Sequence, residues 1–300
     1  MRLGEPSLDQ LRIFLSVDEE GSFGGAARKM GRAVSAISYG VQQMETQLGV
    51  TLFAREGSRK PVLTDAGQGL LAEARAIIDA SDALLAKTQS LHAGLESEVS
   101  LVLDVMIPGA VIARVLQEFR CMFPTVALRL NIEGLGAVAA CLLGGEAQLG
   151  VAGPVVSDHP DLEKQVIGGV ELIPVAAPGH PLAQTGIKPG ESRKHLQIVL
   201  SDRSSITEGQ EFAVLSPQTW RLGDLGAKHI LLKQGIGWGN MPRHQVAEDL
   251  REGTLVELDL PEKPGAHYRL SATWRRDARP GPATSWVIDA MRDALAQCPD

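Results

Sequence analysis

The chain has 300 residues, enough for two or three units with cores of their own, and 44% hydrophobic with 22% charged residues is a soluble globular composition. A formal net charge of −7 weakens any non-specific attraction to nucleic acid, and no window approaches the roughly 20 apolar residues that cross a bilayer. Cys121, Cys141 and Cys298 are odd in number and show no C-x-x-C spacing, which argues against a disulfide framework or a zinc site. Met1 to Glu5 lacks the basic start and apolar run of an export signal, so the expected location is the cytoplasm, with no membrane partner.

Leu8, Leu11, Phe14, Leu15 and Asp18 describe a first helix with one apolar side. Phe23, Ala26, Ala27 and Met30 form a second, shorter stripe, and Gly31-Arg32-Ala33 supplies a sharp turn. Val34, Ile37, Val41, Met44 and Leu48 then step by three and four, so one side of a third helix faces a core. Its opposite side carries Ser35, Ser38, Tyr39, Gln42 and Thr46, all able to hydrogen-bond and none acidic, a face suited to base edges and phosphates. The pattern is that of a helix-turn-helix; by periodicity alone an ordinary helical hairpin fits equally. Directly after it, residues 52–63 read as two short extended runs around a Gly-Ser tip, a β-hairpin wing carrying Arg55, Arg59 and Lys60. Between Glu20 and Asp65 six cations face four anions, so the acidity of the chain lies elsewhere.

Thr64 is placed to cap a long helix that runs without proline to about His92. Leu70, Ile77, Leu84 and Leu91 recur at sevens, Leu71, Ile78 and Leu85 run beside them, and Ala74, Ser81 and Thr88 form a small column. That repeat predicts a coiled coil with a second copy; the alternative is a long helix packed on its own chain.

From Ser97 the texture alternates. Strands are expected over 99–105, 126–132, 148–152, 170–176, 197–200, 228–231 and 268–274, and helices over 109–123, 135–143, 244–252 and 284–295, with a helical or turn region around Glu208. Such βαβ units predict a mainly parallel sheet, whose ligands gather at the carboxyl ends of the strands. Gly235-Ile236-Gly237-Trp238-Gly239 has neither dinucleotide nor P-loop spacing, and the seven histidines show no metal spacing. No nucleophile elbow is present, so no enzyme, cofactor or metal is expected.

At this point the chain resembles the LysR-type transcriptional regulators. The resemblance rests on Leu11, Phe14, Gly21-Ser22-Phe23, Ala26-Ala27, Ser35-Ala36, Ser38, Glu45, Leu48-Gly49, Leu52-Phe53, Arg55 and Leu63-Thr64-Asp65-Ala66-Gly67. It implies an α-rich winged helix-turn-helix over 1–64, a linker and dimerisation helix over 65–93, and a two-lobed, periplasmic-binding-protein-like α/β effector domain over 97–300. Lobe I would be 97–163 with 264–300, and lobe II 164–263. The implied partners are an operator in double-stranded DNA, a small-molecule effector, and further copies of the chain as a homodimer or a tetramer of paired dimers. DNA contacts are expected from Arg32, Ser35, Ser38, Tyr39, Gln42, Arg55, Arg59 and Lys60. Effector contacts are expected from Met106, Ile107 and Pro108, whose loop would offer free backbone N–H groups, and from Ser201, Asp202, Arg203 and Ser204, with Trp238 nearby. The chain departs from the family at Ala33 and Val34, which costs the recognition helix its usual N-cap, about 1 kcal/mol. It departs again at Gly40, where a base-reading side chain is expected to be missing. A solute-binding protein or an enzyme on the same α/β body are the competing readings.

Overall fold

A computed structural model describes residues 4–54, 60–92, 94–154, 159–207, 210, 212–262 and 265–298, without the side chains of 89–91. The chain divides into two compact units, Met1–Gln89 and Ser90–Asp300.

In the first unit, α1 (Leu8–Glu20) starts at a capping box, in which Ser7 and Gln10 satisfy each other's backbone N–H. Helix α2 (Phe23–Met30) is capped by Ser22 and ends at Gly31, whose φ of 64° turns the chain into α3 (Val34–Leu48). As the sequence implies, Ala33 gives α3 no side-chain cap. Leu11, Phe14, Leu15, Ala26, Ala27, Ile37, Val41 and Met44 close the shared core, while Leu8 and Val34 at the first turns stay exposed. Strands β1 (Phe53–Ala54) and β2 (Val62–Leu63) pair antiparallel, as a wing requires. The Glu45 carboxylate accepts from the Leu52 N–H at 2.7 Å, fastening the end of α3 to the wing's first strand. Helix α4 (Asp65–His92) begins where the Thr64 hydroxyl accepts from the Gly67 N–H.

Among the described residues, the second unit is built on a nine-stranded sheet against which helices pack. Its strands are β3 (Glu98–Asp104), β4 (Ala127–Glu133), β5 (Leu149–Ala152), β6 (Leu162–Ala176), β7 (Gln197–Leu200), β8 (Thr219–Leu222), β9 (Trp238–Pro242), β10 (Val256–Glu257) and β11 (Ala266–Arg275). They lie in the order β4-β3-β5-β11-β6-β9-β7-β8, with β10 beside β6. The sheet is mixed rather than mainly parallel. Two parallel trios, β4-β3-β5 and β9-β7-β8, are joined through the long antiparallel pair β6 and β11. Helices α5 (Gly109–Met122) and α9 (Pro282–Ala296) cover one end of the sheet, and α6 (Ala137–Leu143) lies against β5 and β3. Helices α7 (Leu225–Lys233) and α8 (Arg243–Glu252) cover the other end. Residues 228–231, expected as a strand, belong to α7, because Asp224 caps a helix there by accepting from the Ala227 N–H at 2.6 Å. Among the described residues no helix is long and apolar enough to cross a membrane.

Candidate nucleic-acid interface and ligand cleft

The outward side of α3 is the polar side that its periodicity predicts. Ser35, Ser38, Tyr39, Gln42 and Thr46 are all exposed, Tyr39 by 63%, and Gln43 donates to the Tyr39 hydroxyl at 3.0 Å. Ile37, Gly40, Val41 and Met44 point the other way. Two assignments on this helix change. Val34 is 50% exposed and joins the outward face instead of the core. Gly40 is buried: a Cβ there would stand 2.6 Å from Ile13 Cδ1, so its lack of a side chain serves the contact with α1 and removes nothing from a base-reading face.

Most described cations of the first unit are already matched. Arg32 donates to Asp9 at 2.8 Å, Arg12 to Asp82 at 2.8 Å, Arg75 to Glu19 at 3.3 Å, and Lys29 reaches both Glu19 and Glu20. Solvent screens these exposed pairs, so a phosphate can compete for the cation. Arg28, which sequence reasoning counted without assigning a contact, is exposed on α2 and has no ion-pair partner among the described residues. Lys60 is exposed beside β2, while Arg55 and Arg59 lie outside the described residues.

The heptad stripes of α4 part company. Ala74 and Ile78 are buried in the core of their own unit, and Leu70 and Leu71 are half-buried against it. The first half of α4 therefore packs on its own chain, which corrects Ile78, and in part Leu70 and Leu71, as seam residues. Ile77, Leu84 and Leu85 remain exposed at 48%, 66% and 56%. The Leu91 side chain lies outside the described part of the chain.

In the second unit the ends of β3, β4, β7 and β8 surround a cavity of ≈ 200 Å³ lined by Val105, Glu133, Leu200, Ser201, Arg203 and Asp224, among others. A neighbouring cavity of ≈ 470 Å³ shares Leu200, Ser201 and Arg203 with it and adds Leu135, Asp202 and Ser204. Strand ends therefore do meet at a cleft, and Ser201, Arg203 and Ser204 line it. Arg203 is exposed and without an ion-pair partner among the described residues. Asp202 is not free to bind a ligand. Its carboxylate accepts from the Gly136 N–H at 3.0 Å, from the Ser204 N–H and hydroxyl at 2.9 Å each, and from the Thr207 hydroxyl. Although burial pushes this carboxyl up, those donors outweigh it and hold it below the ordinary range. The bond to Gly136, just ahead of α6, ties the β7 loop to the opposite side of the cleft.

The loop after β3 departs most from expectation. Met106, Ile107 and Pro108 are buried, and the N–H groups of the first two are not free: Met106 donates to Asp104 Oδ1 at 2.9 Å and Ile107 to the Asp104 carbonyl at 3.0 Å. Asp104, which sequence reasoning missed, is fully buried and also accepts from the Gly153 N–H at 3.1 Å and the Tyr268 hydroxyl at 2.8 Å. Burial pushes its carboxyl up to about 6, against the three donors, which pull it down. The same burial, with the neighbouring Asp104 charge, raises the Tyr268 hydroxyl. The protein thus supplies its own acceptor to the N–H groups that the sequence leaves free for an effector. Trp238 is likewise no cleft residue: it is fully buried in β9 with Ala176, Leu182, Leu258 and Leu260. Among the described residues no cluster of His, Cys, Asp and Glu could hold a metal ion.

Comparison with known proteins bears on both units. Residues 8–68 match the family described as bacterial regulatory helix-turn-helix protein, lysR family, and residues 92–296 match the LysR substrate binding domain. The chain is 28% identical over 286 residues to the probable HTH-type transcriptional regulator YhaJ of Escherichia coli K12, covering 94% of each protein. Among solved structures, it superimposes on an OxyR mutant from Corynebacterium glutamicum with a TM-score of 0.54 at 20% identity, covering 97% of this chain and 95% of that one. It also superimposes on full-length LysG of the same organism with bound effector Arg, with a TM-score of 0.51 at 19% identity over 96% and 98% of the two chains.

Proposed function

The chain belongs to the LysR family of bacterial transcriptional regulators, and from that premise we propose how its parts divide the work. It is a regulator rather than an enzyme, with a helix-turn-helix DNA-binding unit and an effector-binding unit. In our reading 1–64 bind the operator, 65–93 link and dimerise, and 97–300 hold the effector between lobes that meet at β6 and β11. Helix α3 enters the major groove, with Ser35, Ser38, Tyr39 and Gln42 toward base edges, and Arg28, Arg32, Arg55, Arg59 and Lys60 toward phosphates. The observation that carries this reading is the outward face of α3, uncharged, exposed over three turns and, beyond Val34 at its start, carrying the polar Ser35, Ser38, Tyr39, Gln42 and Thr46.

Ile77, Leu84, Leu85 and Leu91 form the seam with a second copy, since Ile77 and Leu84, one heptad apart, and Leu85 beside them are exposed apolar side chains that are costly to leave in water. Pairing supplies the second half-site that specificity needs, and dimers pair further into tetramers. The effector is a small molecule that meets Arg203, Ser201 and Ser204 in the cleft, and the LysG structure with bound arginine supports a ligand in a fold of this kind. Asp202 positions that loop instead of contacting the effector. The protein acts in the cytoplasm, where its operator is. Footprinting of the purified protein on the DNA upstream of its own gene tests the reading: protection of paired half-sites supports it, and protection no stronger than on random DNA overturns it.

A further inference from the structure

We propose that the open face of β6 and β11 carries a second ligand site, built for a small doubly charged oxyanion such as a dicarboxylate or a phosphate monoester. A cavity of ≈ 380 Å³ lies there, within the size range of small-molecule sites, and it shares no lining residue with the cleft at Arg203. Lys164 comes from β6, and His267 and Arg269 from β11, with the Ser271 and Thr273 hydroxyls beside them and Val166 as an apolar wall. No described lining residue is acidic.

The strand register explains why these groups converge. His267, Arg269 and Ser271 alternate along the open face of β11 and Thr273 continues that side as a buried residue whose hydroxyl donates to the Ser271 carbonyl, while Tyr268, Leu270 and Ala272 are buried on the other face. Lys164 stands opposite Thr273, and Val166 opposite Ser271. Between Leu270 and Ser271 the register shifts, so β6 accommodates Ile167 as an extra residue, with Gly168 beside it at φ 156°. Without that bulge Lys164 would fall on the opposite face of the strand from its present neighbours. The His267 ring lies against Gly169, so closely that a side chain there would collide with it.

One guanidinium on this face is left over from pairing. Neighbouring cations on the same strands and their flanks have partners: Arg243 bonds Glu171 and Glu257, Arg275 meets Asp277, and Arg276 meets Glu163. Arg269 is exposed and has no hydrogen-bond or ion-pair partner among the described residues. The Arg269 guanidinium, with the Lys164 side chain and the Ser271 hydroxyl lining the same cavity, offers forked donors to a planar or tetrahedral oxyanion. The loop after β3 has its Met106 and Ile107 N–H groups taken by Asp104, so the Arg269 fork offers an anion what that loop does not. An occupant spanning Lys164 and Arg269 would bridge the two strands that join the parallel trios.

Titration calorimetry separates this site from the cleft at Arg203. The full-length protein is titrated with inorganic phosphate and with succinate at constant ionic strength set by chloride. Saturable binding of one anion per chain by either probe is expected, weakened at least about tenfold by Arg269→Gln and by Lys164→Gln and unchanged by Arg203→Gln. Phosphate alone binding assigns a phosphoryl ligand; succinate alone assigns a dicarboxylate. Two mutants guard against a folding defect in one, and circular dichroism checks each. Absence of saturable binding by both probes overturns the proposal. So does binding that survives Arg269→Gln, binding abolished in Arg203→Gln, or an Arg269→Gln change in sedimentation without anion binding, which would make the groove an interface between copies.

Discussion

Gly40 and Ile13 offer a quantitative test of how the recognition helix is seated. In Gly40→Ala the new Cβ would stand 2.6 Å from Ile13 Cδ1, the terminal methyl of a buried side chain. Alanine gains about 1 kcal/mol in helix propensity, while overpacking costs about 1–3 kcal/mol, so the single substitution is expected to destabilise by about 1 kcal/mol. Ile13→Val removes the very methyl that the Cβ would strike and by itself also costs about 1 kcal/mol through the void it leaves. Together the Cβ occupies the vacated space and the propensity gain survives. The double mutant is therefore expected near wild type, a coupling of about 2 kcal/mol between touching residues. Native-state hydrogen exchange of α1 and α3 amides in the full chain reads this directly, as an opening equilibrium about 30-fold more favourable to the closed state in the double mutant than additivity gives. Additive effects would refute the packing. A Gly40→Ala protein of unchanged stability with altered base preference would instead place Gly40 on the DNA side.

Leu84→Asp should abolish dimers in sedimentation while leaving each unit folded, whereas Ile78→Asp should unfold the first unit, because Leu84 is exposed and Ile78 lies in the core; dimeric Leu84→Asp protein would count against the seam. Asp104 has a folded-state carboxyl raised to about 6 from an ordinary 3.8. Its contribution to stability is therefore fully present below about pH 4 and vanishes as pH rises through about 6, at most about 3 kcal/mol. Thermal unfolding from pH 4 to 7 should lack that slope in Asp104→Asn, and identical profiles would contradict it. Asp202→Ala should speed hydrogen exchange at Gly136 and in the first turn of α6, since the tether across the cleft is gone; unchanged exchange would remove its positioning role.

The helix-turn-helix and its wing are legible because the 3.6-residue stripes, apart from Leu8 and Val34 at their first turns, pack against neighbours only tens of residues away, and Glu45 and Thr64 bond locally. Strand β7 was legible to the residue, an apolar run bounded by polar neighbours. Helix α7 is hard to tell from a strand because its short apolar stretch carries no period of its own, and the deciding signal is Asp224 as a cap. The glycines around Trp238 look like a turn, yet they lie in and beside β9. Side chains at Gly237 and Gly239 would meet the Leu196 and Ile198 carbonyls at 2.6 and 2.5 Å, a requirement set by backbone about 40 residues distant. The cleft was legible only in outline. Asp104 closes an apolar strand, a signal that a buried carboxylate has found donors, but Tyr268, its partner, is 164 residues away. Occupied N–H groups cannot be told from free ones without that partner in view.

The role of α3 is tested most directly by measuring binding to an operator and to random DNA of equal length across several salt concentrations. Ser38→Ala and Gln42→Ala are expected to weaken operator binding by about 1–3 kcal/mol while leaving random-sequence affinity and salt slope nearly unchanged. Arg28→Ala and Lys60→Ala are expected to weaken both DNAs alike and to reduce the slope by about one unit for each cation withdrawn from a phosphate. Equal weakening on both DNAs from all four substitutions would contradict the assignment of α3 as the helix that reads the sequence.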